Sequence, residues 1–244
     1  MVADRDESSA QHTASAAQKT AGKEGAFAAA IDIRSREAIR RALRQIVKTY
    51  GGFDVLINTA AIFPAPPDGR VTDELWGLTL DLNVTANYRL AEEAAATFRE
   101  QNLNGCIVLT SSANAVVAKR GSEAYDVSKA AVSHLVRELA IALAPNVRVN
   151  GISPATVVKG STMFPRDRVI VSLEKYGIEF DEHAADGDLR KLLADFYATR
   201  TLTHQAIDPD DCAHAILFLA GPHARCTTGH LIPVDGGLSD AFLR

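Results

Sequence analysis

The chain has 244 residues, 47% of them hydrophobic, with a net charge of −4 and a pI near 6.0; it can bury one large core and lacks the basic footprint of a nucleic-acid binder. No apolar run has the length of a membrane span, and the opening MVADRDESSAQ lacks the apolar centre of a signal peptide. Three widely spaced cysteines, Cys106, Cys212 and Cys226, point to reduced thiols in a cytoplasmic protein, and seven scattered histidines without ligand spacing lead us to expect no metal site.

Met1 to Asp4 reads as the end of a strand, followed directly by a polar, alanine-rich helix from about Asp6 to Ala21. Gly25 to Ile31 predicts a short, weak strand ending at Asp32. Ser35 can cap the next helix, whose apolar positions Ile39, Leu43, Ile46, Val47 and Tyr50 keep the 3.6 period until Gly51 and Gly52 stop it. Phe53 to Asn58 is a continuous apolar run of strand length, as expected of a parallel strand covered on both faces. The loop Phe63 to Gly69, with three prolines, excludes helix and central strand. A long helical segment from about Thr72 to Gln101 carries Asn83 in an apolar neighbourhood, Leu80 to Val84. A buried asparagine must satisfy its amide, so Asn83 is either a structural bracket or part of a polar relay.

The apolar run Cys106 to Leu109 predicts a strand that delivers Ser112 to the mouth of a sheet. Tyr125 and Lys129 stand four apart at the start of the following helix, so both project from one face. A tyrosine, with an unperturbed pKa of about 10, is a poor base at neutral pH, and a cation one turn away favours the phenolate. Lys129 would thereby make Tyr125 a usable acid or base, with the Ser112 hydroxyl holding a substrate oxygen beside the phenol. The helix continues through Val132, Leu135, Val136, Leu139 and Leu143 to Pro145, and Val147 to Ile152 predicts the next strand, ended by Ser153 and Pro154.

From about residue 155 to 207 the pattern is least regular, with helical pieces near Arg166 to Tyr176 and Asp188 to Thr199. An excursion this long suits a lid or a substrate-binding region. Asp208 and Pro209 open a helix that is expected to pack through Ala215, Ile216, Phe218 and Leu219, and His230 to Val234 predicts a last strand. Strands alternate with helices throughout, which implies a single α/β domain over 1–244. We expect a doubly wound parallel sheet with a ligand crevice at the carboxyl ends of its strands. Asp4, Asp32, Asn58, Ser112 and the neighbours of Pro154 all fall on that edge.

These residues resemble the short-chain dehydrogenase/reductase family. Asn58-Thr59-Ala60-Ala61 is similar to its Asn-Asn-Ala-Gly segment, Asn83 to its helix asparagine, Ser112, Tyr125 and Lys129 to its catalytic trio, and Ser153-Pro154-Ala155 to its Pro-Gly turn. The final Thr228 to Gly237 also matches. Ala155 to Arg168 and the tail Ala241 to Arg244 more narrowly resemble the C-terminal dehydrogenase domain of bifunctional rhamnulose-1-phosphate aldolase/short-chain dehydrogenases.

The resemblance implies a Rossmann-like fold and a hydride transfer between NAD and a small hydroxy or aldehyde compound, with lactaldehyde from deoxy-sugar breakdown as the implied candidate. In it Tyr125 exchanges the substrate proton, Lys129 lowers its pKa and holds the nicotinamide ribose, Ser112 orients the substrate and Asn83 supports a proton relay. Asp4 would bind the adenosine ribose and favour NAD over NADP, Asp32 and Ile33 would flank the adenine, Asn58 and Ala60 the central part, and Pro154 and Val157 the nicotinamide end. It further implies a homo-oligomer, a tetramer in many relatives, and an upstream aldolase domain.

Two family glycines are alanines here, Ala61 and Ala155. The family's first strand, glycine-rich phosphate turn and first helix have no counterpart in the sequence, so we expect an incomplete sheet and weak pyrophosphate binding. An enzyme of this family and a catalytically inactive domain with a structural or partner-binding role therefore both stand at this point.

Overall fold

The computed structural model describes residues 1–22, 25–64, 66 and 69–242. Ala65, Pro67 and Asp68 of the proline-rich loop, and Leu243 and Arg244 of the tail, lie outside the described residues.

Strand and helix alternate as the sequence predicts. A three-residue strand β1 (Val2–Asp4) leads into α1 (Glu7–Ala21), whose first turn is capped by the Asp6 carboxylate accepting from the Ser9 amide. Strand β2 covers only Ala28–Ala30, with the Phe27 carbonyl just before it accepting from the Val2 amide at 2.9 Å. Helix α2 (Arg36–Tyr50) is capped by Ser35 and closed by Gly51 at φ +81°, a left-handed conformation that glycine adopts without strain. Next come β3 (Val55–Asn58), α3 (Asp73–Leu80) and α4 (Ala86–Glu100). The last two form the long helix expected from the periodicity, joined by one wide π turn at Asp81–Thr85 that contains Asn83.

Strand β4 (Gly105–Thr110) is followed by a short 3-10 turn and α5 (Glu123–Ala142), and β5 (Val147–Pro154) reaches two residues further than its apolar run. Helices α6 (Arg166–Lys175) and α7 (Asp186–Ala198) occupy the irregular region. Helix α8 (Pro209–Ala220) begins with a reciprocal capping box between Asp208 and Asp211, and β6 (Leu231–Val234) ends the sheet.

All pairings are parallel, and the strands form two ladders, β1–β2 and β3–β4–β5–β6. In the larger ladder β4 is covered on both faces. Ile107 and Leu109 pack with Phe98, Val132 and Val136 from α4 and α5, while Cys106 and Val108 pack against Leu219 of α8. Gly105 lies flat against the Phe98 ring, where any side chain would collide. Strand β3 departs from expectation. Leu56 and Asn58 face the core, whereas Val55 and Ile57 are 38% and 45% exposed, so only one face is covered. In α8 the buried anchor is Leu219, while Phe218 turns outward at 46% exposure. The α6–α7 region carries its own small core of Val158, Val169, Leu173, Leu189 and Leu193.

Candidate active site

Parallel register brings the strand ends together. Asn58 pairs with Leu109 and Thr110 with Ile152, so Asn58, Ser112 and Pro154 emerge at one edge of the larger ladder. Ser112 is buried, accepts a hydrogen bond from the Asn114 amide at 3.2 Å, and points toward the Pro154 carbonyl at 3.4 Å. Tyr125 and Lys129 lie on the first turns of α5, as their spacing requires. The Lys129 ammonium stands 5.5 Å from the Tyr125 ring centre and is only 2% exposed. Its one hydrogen-bond acceptor among the described residues is the Thr110 carbonyl at 2.8 Å. The Thr110 hydroxyl beside that carbonyl is buried and has no partner among the described residues.

The electrostatics differ from the sequence expectation. Burial raises the Tyr125 phenol above its ordinary value; the Ser112 hydroxyl and the Arg168 guanidinium pull it back down, and Asp126 pushes it further up. Lys129 is not among the causes. Burial instead lowers Lys129 itself to about 8. In this arrangement the phenol keeps its proton at neutral pH, and the cation that acts on it is Arg168 of α6, which stacks 4.3 Å over Phe63 while Phe63 meets Tyr125 edge-on at 4.5 Å. Nothing in the sequence marks Arg168, because it reaches the site from the irregular region.

Asn83 acts as a bracket. Its side chain accepts from the Ile62 amide at 2.9 Å and donates to the Ile62 carbonyl and the Ser128 hydroxyl, each at 3.0 Å. It thus ties the loop after β3 to α5. The sequence reading missed Asn87, which donates to the Asn83 carbonyl at 2.6 Å and accepts from Asn58 at 2.8 Å. The i, i+4 repeat of asparagine on one helix was the available signal.

At the other end, Asp4 lies exposed at the tip of β1 and accepts from the Asp6 amide at 2.9 Å. Asp32 pairs with Arg34 at 2.7 Å, which holds its carboxyl at about 2. Ile33 packs beside α2. Ala60 is exposed, its amide donating to Asn58 at 3.3 Å, and Pro154 and Val157 are half-buried. Asp4 and Asp32 belong to the small ladder and its loops, apart from the hydrogen-bonded ladder that carries Ser112 and Pro154.

The family model described as enoyl-(acyl carrier protein) reductase matches residues 1–169 and 177–239. The chain is 32% identical over 245 residues to an uncharacterized oxidoreductase, YuxG, of Bacillus subtilis, matching all of this chain and 34% of that protein. It is 33% identical over 199 residues to human dehydrogenase/reductase SDR family member 4, covering 81% of this chain and 63% of that one. The L-rhamnose 1-dehydrogenase (NAD(P)(+)) of Azotobacter vinelandii is 29% identical over 214 residues, 87% of this chain and 75% of that one. The chain therefore spans about a third of the first relative's length and 63% of the second's.

Among solved structures, sorbitol-6-phosphate 2-dehydrogenase of Erwinia amylovora shares the fold, with a TM-score of 0.83 at 22% identity over 99% of this chain and 89% of that one. This near end-to-end superposition gives no support to the expected loss of the first strand and helix. The order of strands and helices, the matched family model and these relatives agree: the chain belongs to the short-chain dehydrogenase/reductase family, whose members here are oxidoreductases.

Proposed function

We propose that the chain is an NAD-dependent dehydrogenase acting on a small hydroxy or aldehyde compound, with Ser112, Tyr125 and Lys129 as its catalytic residues. The observation that carries this reading is Lys129. A buried ammonium with a single acceptor is costly unless something else uses its remaining donors, and near it lie a Thr110 hydroxyl unpaired among the described residues and the Tyr125 ring, 5.5 Å away. Ribose hydroxyls fit those open valences. NAD, when bound, supplies the hydride acceptor. Lys129 holds its ribose, Ser112 donates to the substrate oxygen, and the Tyr125 Oη gives or takes the substrate proton. Asn58 and Pro154 would border the cofactor at the strand ends, with Ala60 and Val157 beside them, while Asn83 holds the loop and α5 in register.

Asp4, Asp6 and Glu7 crowd the start of α1 with carboxylates, which disfavours a 2′-phosphate there and supports NAD over NADP, with Asp32 and Ile33 at the adenine. Lactaldehyde from deoxy-sugar breakdown is the narrower candidate, supported by the narrower sequence resemblance and by a rhamnose dehydrogenase among the relatives. A cytoplasmic homo-oligomer with an aldolase domain alongside belongs to the same reading, and the length of the Bacillus subtilis relative leaves room for such a domain.

The second reading, an inactive domain with a structural role, is favoured by the split sheet and by the same acids at α1. They occupy a helix N-terminus that would otherwise attract a pyrophosphate. Calorimetry with NAD, together with NADH formation from a panel of small alcohols and aldehydes, separates the two. Turnover that falls about 10³-fold or more in Tyr125→Phe while NAD binding persists supports the enzyme; turnover unchanged in that variant removes Tyr125 from its role, and no NAD binding at all favours the inactive domain.

A further inference from the structure

Lys119, on the loop before α5, and Arg200, just beyond α7, line one pocket together with Asn114, Thr156, Tyr197 and Gln205. Both cations are exposed to it, and neither forms an ion pair or a side-chain hydrogen bond among the described residues. The Lys119 ammonium is lowered first by the protein packed around it and further by the Arg200 and Lys175 charges.

Among the described residues no carboxylate lines the pocket. Asp126, whose charge acts on Lys119, is buried with both oxygens engaged, one by the Asn114 side-chain amide at 2.7 Å and the other by the Lys119 backbone amide at 2.8 Å. Asp126 thus fixes the loop that presents Lys119 and partly offsets its charge.

The pocket adjoins the reacting groups. Asn114 donates its backbone amide to Ser112, Thr156 lies two residues past Pro154, and Arg168 interacts electrostatically with both Tyr125 and Tyr197. Two unpaired cations held over a concave, acid-free wall with hydroxyl and amide donors are an arrangement that an anion would relieve, through charge-assisted hydrogen bonds stronger than neutral ones.

We propose that this pocket receives a carboxylate or phosphate on the substrate, so that a hydroxy acid or a phosphorylated polyol is preferred to a neutral aldehyde. The proposal rests on the oxidoreductase reading, within which it replaces neutral lactaldehyde by an anionic substrate; anion binding is measured without turnover, so either idea can fail alone. Calorimetry at constant ionic strength with inorganic phosphate, L-lactate and neutral propane-1,2-diol tests it on the full chain, on Lys119→Gln and on Arg200→Gln. The expected result is binding of at least one anion but not of the diol, weakened about tenfold or more in each variant. Preference for phosphate assigns a phosphate ester, and preference for lactate a carboxylate. Absence of anion binding, equal binding of the diol, or unchanged affinity in both variants overturns the proposal. The two substitutions lie at exposed positions on separate elements, and a far-UV spectrum identical to that of the parent shows that the fold is intact.

Discussion

The ladder β3–β6 and the ladder β1–β2 are built from the same alternation of strand and helix, and they differ in what covers them. In β4 every residue from Gly105 to Leu109 is buried between α4 and α5 on one face and α8 on the other. In β1 and β2, Ala3, Asp4 and Ala30 are exposed, and α1 contributes only Ala10 and Ala14 to the buried set. Apolar side-chain volume explains the contrast. An Ile-Val-Leu run removes far more surface from water than an Ala-Ala-Ala run of the same backbone geometry. The residues proposed to do chemistry stand on the well-covered ladder, whereas Asp4, proposed to choose the cofactor, stands on the poorly covered one. The proposed catalytic edge is thus the well-covered one, and the proposed adenosine end is the one of lower local stability.

The contrast can be broken most directly by mutation in the two ladders. Leu109→Ala in β4 should lower unfolding free energy by about 2–5 kcal/mol, and Val2→Ala in β1 by about 1 kcal/mol or less, measured by urea denaturation. Equal losses would show that the small ladder is as deeply integrated as the large one. Asn83→Ala leaves the Ile62 amide without its side-chain acceptor and should cost about 1–3 kcal/mol. If Asn83 only brackets the loop, the loss appears in the urea midpoint while the pH profile of turnover keeps its shape; a changed profile would assign it a part in proton transfer.

The smallest expected effect concerns Asp32. Its carboxyl, held by Arg34, is depressed from 3.8 to about 2, so its contribution is complete above about 3.8 and lost as pH falls through about 2. The two side chains are 36% and 34% exposed, which screens the pair to about 1 kcal/mol or less. Asp32→Asn should therefore be slightly destabilised at neutral pH and indistinguishable from the parent once the pH falls below that of the depressed carboxyl. A difference that persists in acid would mean that packing, not charge, is the source.

Much of the arrangement was legible beforehand because it rests on local rules. Ser35 and Asp208 cap helices as their positions predict, and Tyr125 and Lys129 share a face because four residues make one turn. The misreadings share a cause. Hydrophobicity alone assigns Ile57 and Phe218 to the core, yet burial depends on whether another element covers that face, and none among the described residues does so for these two. Arg168 and Arg200 were invisible for the converse reason: each lies in the irregular region, with no periodic partner to mark it.

The sequence by itself determined the element order, the helix starts and the placement of Asn58, Ser112, Tyr125 and Lys129 on one side of the sheet, since these follow from periodicity, capping and strand direction. Only the tertiary structure decided that Asn83 is fully engaged as a bracket and that burial, not Lys129, dominates the Tyr125 phenol. Desolvation and long-range charge depend on what the fold packs around a group, and residues such as Arg168 and Tyr125, far apart in the chain, meet only once it has folded.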